Sequence, residues 1–269
     1  MKDIIFYIIY CNETRLNFMK KQIHELSLPF TIVYFKAYTP DESQDWVDES
    51  DISPQKLQCC LRSHIESINH FVNNYKDKKW ICILEDDVCL LKNNFTSEFL
   101  DSIEKLKEIQ NYGVDYMSIG YLPTLVSKSF KTPFLDEEKF KLVKSNKGLY
   151  YDFDNCGYTI WGTQAQVFPM KTAQKISDLL FKKNSVELKK SANQYLDVNG
   201  FHQIKNIYLT PDSILPAIFS QSILYKPLAI EAKINSEIHD GQNSNDRFSN
   251  WEKWERNGSI ELKNYWSYE

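Results

Sequence analysis

Short apolar runs and helically spaced apolar positions alternate along the first part of the chain. The run "DIIFYIIYC" (3–11) is short and rich in Ile, Tyr and Phe, which predicts a strand. Apolar residues then recur on one helical face, namely Leu16, Met19, Ile23 and Leu26. After Pro29, "FTIVYFKAY" (30–38) predicts a second strand. A strand, a helix and a strand in this order predict a parallel sheet.

The same two patterns continue to about residue 230. Helices are predicted from "SHIESINHFVNNY", with Ser63 as the N-cap and His64 in the first turn, and from "TSEFLDSIEKLKEIQ", "KTAQKISDLLFKK" and the segment after Pro211. Strands are predicted from "KKWICILEDD", "DYMSIGYL" and "TIWGTQAQVF". The sequence therefore predicts one α/β domain over residues 1–240, in which helices flank a mostly parallel central sheet. A polar, Trp- and Tyr-rich C-terminal tail over 241–269 is expected to pack on this domain.

Composition and charge exclude several functional classes. The chain has 269 residues and a net charge of −4, whereas a nucleic-acid-binding protein normally has a basic excess. No apolar stretch approaches the roughly 18 residues of a membrane span, and the N-terminus lacks a cleavage site. A cytoplasmic location, in the producing or a host cell, is therefore expected. The six Cys include no CxxC pair and three of them lie inside apolar runs, which predicts reduced, buried thiols rather than a disulfide framework or a zinc site.

Three adjacent acids, Glu85, Asp86 and Asp87, end the strand in "WICILEDDVCL". Ligands bind at the carboxyl ends of strands in open α/β sheets. In an extended backbone Glu85 and Asp87 point to one side, and two hard oxygen ligands suit Mg²⁺ or Mn²⁺. Such an ion could bridge the protein to a diphosphate. By itself, an acidic triplet more often indicates a solvated loop, in which the acids cap the next helix or offset nearby Lys residues, than a metal site.

The surroundings of these acids resemble glycosyltransferase family 25. The family has a Gly-Cys-x-x-Ser-His run, about twenty residues and then an apolar strand ending in Glu-Asp-Asp. Here "CCLRSH" (59–64) precedes "WICILEDDV", with Cys59 in place of Gly. Four further segments are similar to the family in the same order: "NETRLNFM", "YFKAYTP", "GTQAQVFPMKTAQKISDLL" and "TPDSILPAI". "PLAIEAKINSEIHDG" resembles its closing segment, with Ser236-Glu237 where Ser-Asp is usual.

The resemblance implies a GT-A-like fold and an inverting transfer of a hexose, most commonly galactose, from a UDP-sugar. It also implies a divalent cation, Mn²⁺ or Mg²⁺. The acceptor would be a glycan, a lipooligosaccharide or a hydroxylysine-type residue. Asp87 is the first expected metal ligand, Glu85 a second contact to metal or donor, and Asp86 a further donor contact.

Other site residues follow from the resemblance and from the needs of the reaction. An inverting transfer needs a base for the acceptor hydroxyl, and Asp212 is the first candidate, with Asp154 and Asp152 as rivals. His239 or Asp240 would supply a late metal ligand. Arg15 would meet the donor phosphate or base, and His64 the donor. Structural alternatives exist for each residue: a first-turn acid for Asp212, a packed histidine for His64 and a surface ion pair for Arg15.

Two other functional classes remain open from the sequence. The departures from the family pattern, which include a missing Asn-Leu at the end of the first strand, would suit a non-catalytic homologue that binds a glycan or a partner. A metal-dependent phosphoesterase or nuclease would use the same acids, but would need more ligands and a basic surface.

Overall fold

A computed structural model of the chain describes residues 1–111, 113–122, 142–143, 161–198, 207–224, 227–233, 251–252, 255–256 and 260–267. Its strands are β1 Ile4–Tyr10, β2 Thr31–Lys36, β3 Trp80–Glu85, β4 Val88–Leu90, β5 Tyr116–Leu122, β6 Leu142–Val143, β7 Trp161–Pro169, β8 Gln221–Ile223 and β9 Ala229–Glu231. Its helices are α1 Glu13–Glu25, α2 Gln55–Asn74, α3 Phe95–Gln110, α4 Met170–Leu180, α5 Ser185–Val198 and α6 Pro211–Ile218. Short 3-10 turns occur at Asp41–Ser43 and Leu262–Asn264.

The strands form one mixed sheet in the order β2-β1-β3-β7-β5-β8-β6, while β9 pairs with both β5 and β4. The strand β1 runs parallel to β2 and β3, as its strand–helix–strand pattern predicts. The strand β7 lies between β3 and β5 and is antiparallel to both. The predicted α/β architecture is confirmed, and most strands in the described residues share one direction.

Both faces of the sheet are covered by helices, because alternate side chains of each central strand point to opposite sides. Ile5, Tyr7 and Ile9 of β1 pack in a cluster that includes residues of α2, α4, α5 and α6. Ile4, Phe6 and Ile8 pack in a second cluster with residues of α1 and α3. Burial on both sides explains why β1 and β3 consist of almost uninterrupted apolar residues.

The start of α2 differs from the prediction. The helix begins at Gln55, directly after Pro54, so Ser63 is not an N-cap and His64 is not in the first turn. Both residues lie in the middle of the helix, and the Ser63 hydroxyl donates to the carbonyl oxygen of Cys59 at 2.8 Å. The "CCLRSH" motif is therefore a helical face, on which Cys60 and His64 are one turn apart.

The described residues of the C-terminal tail pack beside β4 and β9. Trp251 is fully buried and Tyr265 nearly so, in a cluster with residues of β4, β5, β8 and β9. The Tyr265 hydroxyl donates to the carbonyl oxygen of Pro227 at 2.7 Å, and the tail forms a bridge to Leu91. These contacts hold the tail behind the strand pair that follows the acidic motif. None of the helices in the described ranges is both long enough and apolar enough to cross a membrane.

Candidate functional site

A cleft of about 280 Å³ opens at the carboxyl ends of the three parallel strands β1, β2 and β3. Its lining comprises Ile9, Cys11, Asn12, Arg15, Ala37, Tyr38, Thr39, Pro40, Lys56, Cys59, Cys60, Ser63, His64, Glu85, Asp86 and Asp87. The three acids, the first turn of α1 and one face of α2 thus border a single space. This is the edge of an α/β sheet at which ligands are expected.

The Asp86 carboxylate links the end of β3 by hydrogen bonds to the turn between β1 and α1 and to the first turn of α1. Its Oδ2 accepts from the backbone amide of Cys11 at 2.7 Å and from the Cys11 thiol at 3.1 Å. Its Oδ1 accepts from the guanidinium of Arg15 at 3.2 Å. Burial raises the pKa of Asp86 above its usual value, while the bonds from Cys11 and Arg15 oppose this shift. Asp86 is thus held by two donor residues.

Glu85 is fixed on the other side of the cleft floor. Its Oε1 accepts from the Thr163 hydroxyl at 2.6 Å and lies 3.0 Å from Nε2 of His64. Burial alone would raise the pKa of Glu85, but the hydrogen bonds from His64 and Thr163 hold it below its usual value. Glu85 is therefore ionised, and Nε2 of His64 is the donor in their contact.

Of the three acids in the motif, Asp87 has the fewest side-chain hydrogen bonds within the described residues. Its Oδ1 is buried and has no hydrogen-bond partner among the described residues, while its Oδ2 lies 3.9 Å from the Arg15 guanidinium. Burial and then the negative charges of Glu85 and Glu231 raise its pKa well above the usual value. The positive charge of Arg15 opposes this shift, and a bound cation or a proton on the carboxyl would further relieve the concentration of negative charge.

Glu231 reaches this region through strand pairing. The strand β9 runs antiparallel to β4 and places Glu231 opposite Val88, the residue after Asp87. The amide of Ala232 also donates to the backbone carbonyl of Asp87 at 2.6 Å. Glu231 is buried, so a fourth carboxylate lies close to the acidic motif.

The opposite wall of the cleft is built by the end of β2 against α2. The amide of Tyr38 donates to the Ser63 hydroxyl at 2.9 Å. The Arg62 guanidinium lies 4.3 Å from the centre of the Tyr38 ring, in cation–π contact. The serine and the arginine of the "CCLRSH" motif thus position the residue that follows Ala37.

The family model for glycosyltransferase family 25 (LPS biosynthesis protein) matches residues 4–189, which is more than half of the chain. The chain belongs to glycosyltransferase family 25. The family predicted from the motifs is therefore confirmed, and family membership implies a glycosyl donor and an acceptor. The match includes every residue that lines the cleft.

Comparisons with other proteins add little to this assignment. No curated protein matches the chain significantly. A glycosyltransferase involved in the glycosylation of the major capsid of PBCV-1 is 11% identical, over 93% of this chain and 99% of that one, with a TM-score of 0.37. Mannose-1-phosphate geranyltransferase from Thermus thermophilus is 9% identical, over 82% and 73%, with a TM-score of 0.43. A197 from STIV is 12% identical, over 65% and 68%, with a TM-score of 0.33. These TM-scores are low, so nothing about function follows from them.

Most site residues predicted from the family 25 motifs lie together in the cleft: Arg15, His64, Glu85, Asp86 and Asp87. Asp212 lies in the first turn of α6, half-buried, and its charge contributes to raising the pKa of Cys60, after burial and the charge of Glu85. Asp212 is thus within electrostatic reach of the cleft. Asp154 and His239, with their rivals Asp152 and Asp240, lie outside the described residues.

Two residues that contact or influence the acidic motif, Thr163 and Glu231, had no role predicted from the sequence. Thr163 lies in "GTQAQVFPMKTAQKISDLL", one of the segments that are similar to family 25, and this resemblance was the available signal. Glu231 lies in the closing segment, but nothing in its immediate sequence distinguishes it from a surface acid. Its pairing position beside Asp87 depends on β9 meeting β4 across more than 130 residues of chain.

Proposed function

We propose that this protein is a metal-dependent, inverting glycosyltransferase that moves a hexose, galactose, from a UDP-sugar to a glycan, lipooligosaccharide or hydroxylysine-type acceptor. The observation that carries the proposal is the Asp87 carboxylate, buried in the cleft with an oxygen that lacks a hydrogen-bond partner among the described residues. Membership of family 25 supplies the reaction class. Galactose, the UDP moiety and the acceptor rest on the resemblance of the motifs.

The residues around Asp87 fit a hard divalent cation. Mg²⁺ and Mn²⁺ prefer carboxylate oxygens, and Asp87 Oδ1, which has no hydrogen-bond partner among the described residues, offers such a ligand. The negative charges of Glu85 and Glu231 act on the same carboxylate and the Arg15 charge opposes them, so a cation would add to the compensation that Arg15 begins. Asp87 is the primary ligand in this proposal, with Glu85 and Glu231 as neighbouring acids and His239 as a late ligand. When bound, the cation would neutralise charge on a diphosphate leaving group.

The protein's own side chains would bind and orient the donor. Arg15 lines the cleft and is buried beside Asp86 and Asp87. Contacts with these two carboxylates restrict the orientation of its guanidinium group. Its fixed guanidinium suits a phosphate oxygen. Asp86 accepts hydrogen bonds from Cys11 and Arg15, and His64 contacts Glu85. Asp86 and His64 would therefore act chiefly by holding in place the groups that face the donor.

Asp212 is the proposed general base. A carboxylate is suited to take the proton of an acceptor hydroxyl as the sugar is displaced. Its place at the start of α6 and its electrostatic effect on Cys60 support a position near the cleft. Asp154 is the rival base in this proposal.

A panel of UDP-, GDP- and CMP-sugars, incubated with the full chain and Mn²⁺, tests the function through nucleotide release. Release from UDP-galactose that is lost in EDTA and in Asp87→Asn is the expected result. Asp101→Asn, which changes an exposed acid on α3, is the matched control and should retain activity. Asp212→Asn should still bind UDP and Mn²⁺ but should lose transfer. Full activity of the wild type in EDTA would contradict metal dependence, and UDP binding without any turnover would favour a non-catalytic homologue.

A further inference from the structure

Three side chains that offer a soft, a borderline and a hard metal-binding atom converge at the floor of the cleft. The Sγ of Cys60, a ring nitrogen of His64 and a carboxylate oxygen of Glu85 all lie within 4.8 Å of one another. Cys60 and His64 are four residues apart on α2, so their side chains share one helical face. From this cluster we infer a second metal site, one that binds a thiophilic divalent cation, Zn²⁺, through Cys60, His64 and Glu85.

The spacing of the three atoms is close to that of a tetrahedral zinc site. With ordinary zinc–ligand distances, tetrahedral angles separate sulfur and oxygen by about 3.6 Å, and nitrogen and oxygen by about 3.4 Å. Here Sγ of Cys60 lies 3.9 Å from Oε1 of Glu85, and Nε2 of His64 lies 3.0 Å from the same oxygen. The third separation, between Sγ of Cys60 and the ring nitrogen of His64, is within 4.8 Å, so side-chain shifts of up to about 1 Å would bring the three atoms to a common cation.

The surroundings of the cluster add an outer contact and an open position. The Thr163 hydroxyl donates to Oε1 of Glu85 at 2.6 Å, which is the kind of outer hydrogen bond that orients a ligating carboxylate. All three ligands line the cleft, so a fourth position is accessible to water from solvent. Three protein ligands and one open position are a known coordination pattern for zinc.

Binding would replace protons by a metal ion. Cys60 would bind as the thiolate and release its proton to solvent. The proton on Nε2 of His64, which donates to Glu85 in the metal-free protein, would move by exchange with solvent to Nδ1, and this would leave Nε2 to bind the cation. Burial raises the pKa of the Cys60 thiol, and the charges of Glu85, Asp212 and Asp87 raise it further. The negative charges of Glu85, Asp212 and Asp87, which add to the effect of burial, would also attract a cation to this point.

This site differs in chemistry from the one proposed at Asp87. Thiolate and imidazole select zinc-like ions, whereas the carboxylate of Asp87 suits Mg²⁺ or Mn²⁺. The inference therefore does not rest on glycosyl transfer, and it can be tested without any activity assay.

Zn²⁺ and Co²⁺ binding to the full chain tests the site. We expect calorimetry to show one tight Zn²⁺ site in Asp87→Asn, a variant that removes the hard-metal ligand. Co²⁺ should give a near-ultraviolet thiolate-to-cobalt charge-transfer band. Cys60→Ala should abolish this band and weaken Zn²⁺ binding at least ~100-fold, and Thr163→Val should weaken it ~10-fold through the outer contact.

A neighbouring thiol provides the matched control. Cys59→Ser changes a cysteine that lines the same cleft but is not part of the cluster, and it should keep both the zinc affinity and the cobalt band. His64→Gln, with its fold checked by circular dichroism, is a second ligand variant and should also lose the tight site. Equal zinc affinity in the wild type and Cys60→Ala would overturn the inference, as would zinc binding that disappears only in Asp87→Asn.

Discussion

Arg15 donates a hydrogen bond to Asp86 at 3.2 Å, and the two side chains are only 8% and 7% exposed. The contact joins the first turn of α1 to the end of β3, across 71 positions of sequence. Because the same carboxylate also accepts from the Cys11 amide, the first strand, the first helix and the acidic motif are held as one unit.

The first prediction concerns this buried ion pair. Arg15→Met should destabilise the protein by about 3–5 kcal/mol, because it leaves a buried carboxylate with fewer partners. Chemical denaturation measures the change. Lys79→Ala, which breaks an exposed ion pair with Asp3, is the matched control and should cost far less. If Arg15→Met combined with Asp86→Asn is no more stable than Arg15→Met alone, the ion-pair explanation is wrong.

A second prediction follows from the raised pKa of Asp87. The pKa of this carboxyl is higher in the folded state than its unfolded value of 3.8, so its contribution to stability is greatest at low pH. That contribution is lost as the pH rises through the folded-state pKa. In metal-free buffer at neutral pH, Asp87→Asn should therefore unfold a few degrees above the wild type, and the difference should shrink below the unfolded pKa. Thermal melts at several pH values measure it, and a less stable Asp87→Asn at neutral pH would refute the argument.

The third prediction tests how Glu85 is positioned. Thr163→Val removes a hydrogen bond to a buried carboxylate and should cost about 1.5–3 kcal/mol of stability. We also expect transfer to fall about 10-fold, because Glu85 borders the cleft. Thr163→Ser keeps the hydroxyl and should recover most of the rate. Thr172→Val, which removes a hydroxyl contact to the Asp115 carbonyl, is the control and should leave the rate unchanged.

A fourth prediction concerns Gly120, which lets β5 pair with β7 on one side and β9 on the other. A Cβ at this position would lie 2.9 Å from the Cβ atoms of Ala165 and Ala229 and from the Ala229 carbonyl oxygen. Gly120→Ala should therefore cost about 1–3 kcal/mol, as overpacking typically does, in a denaturation measurement. It should also weaken metal binding, because β9 carries Glu231.

A substitution at Gly113 is the control for Gly120→Ala, because it strains the backbone without crowding neighbouring atoms. Its surroundings leave room for a Cβ, but its φ of +86° is unfavourable for other residues. Gly113→Ala should lose about 1–2 kcal/mol of stability without affecting metal affinity. Equal losses of metal affinity in the two variants would contradict a specific role for Gly120.

Much of the fold was predictable from local patterns. The apolar run of β1, the helical spacing in α1 and the second apolar run of β2 predict the parallel opening of the sheet, which the pairing of β1 with β2 confirms. The motif order around the acids was sufficient to predict the family. These features can be predicted from short stretches of sequence. A strand buried on both faces is almost continuously apolar, and a helix buried on one face has an apolar residue every three or four positions.

Other features depend on contacts between distant segments. Serine is a common N-cap residue, so Ser63 was predicted to begin α2. The helix instead begins at Gln55, directly after Pro54. The antiparallel direction of β7 could not be predicted from its own residues. The alternation of apolar and polar side chains along a strand is the same whether the strand pairs parallel or antiparallel. The role of Asp154 and His239 stays a prediction.

Sequence alone determined where the acids stand: at the end of a core strand, with an apolar segment that anchors them. Only the tertiary structure decided how these carboxylates differ from one another. Glu85 is bound by His64 and Thr163, Asp86 by Cys11 and Arg15, and Asp87 is left with an oxygen that has no partner in the described chain. The reason is physical: a carboxylate's charge, pKa and availability to a cation are set by burial and by neighbours, and these neighbours come from segments far apart in the chain.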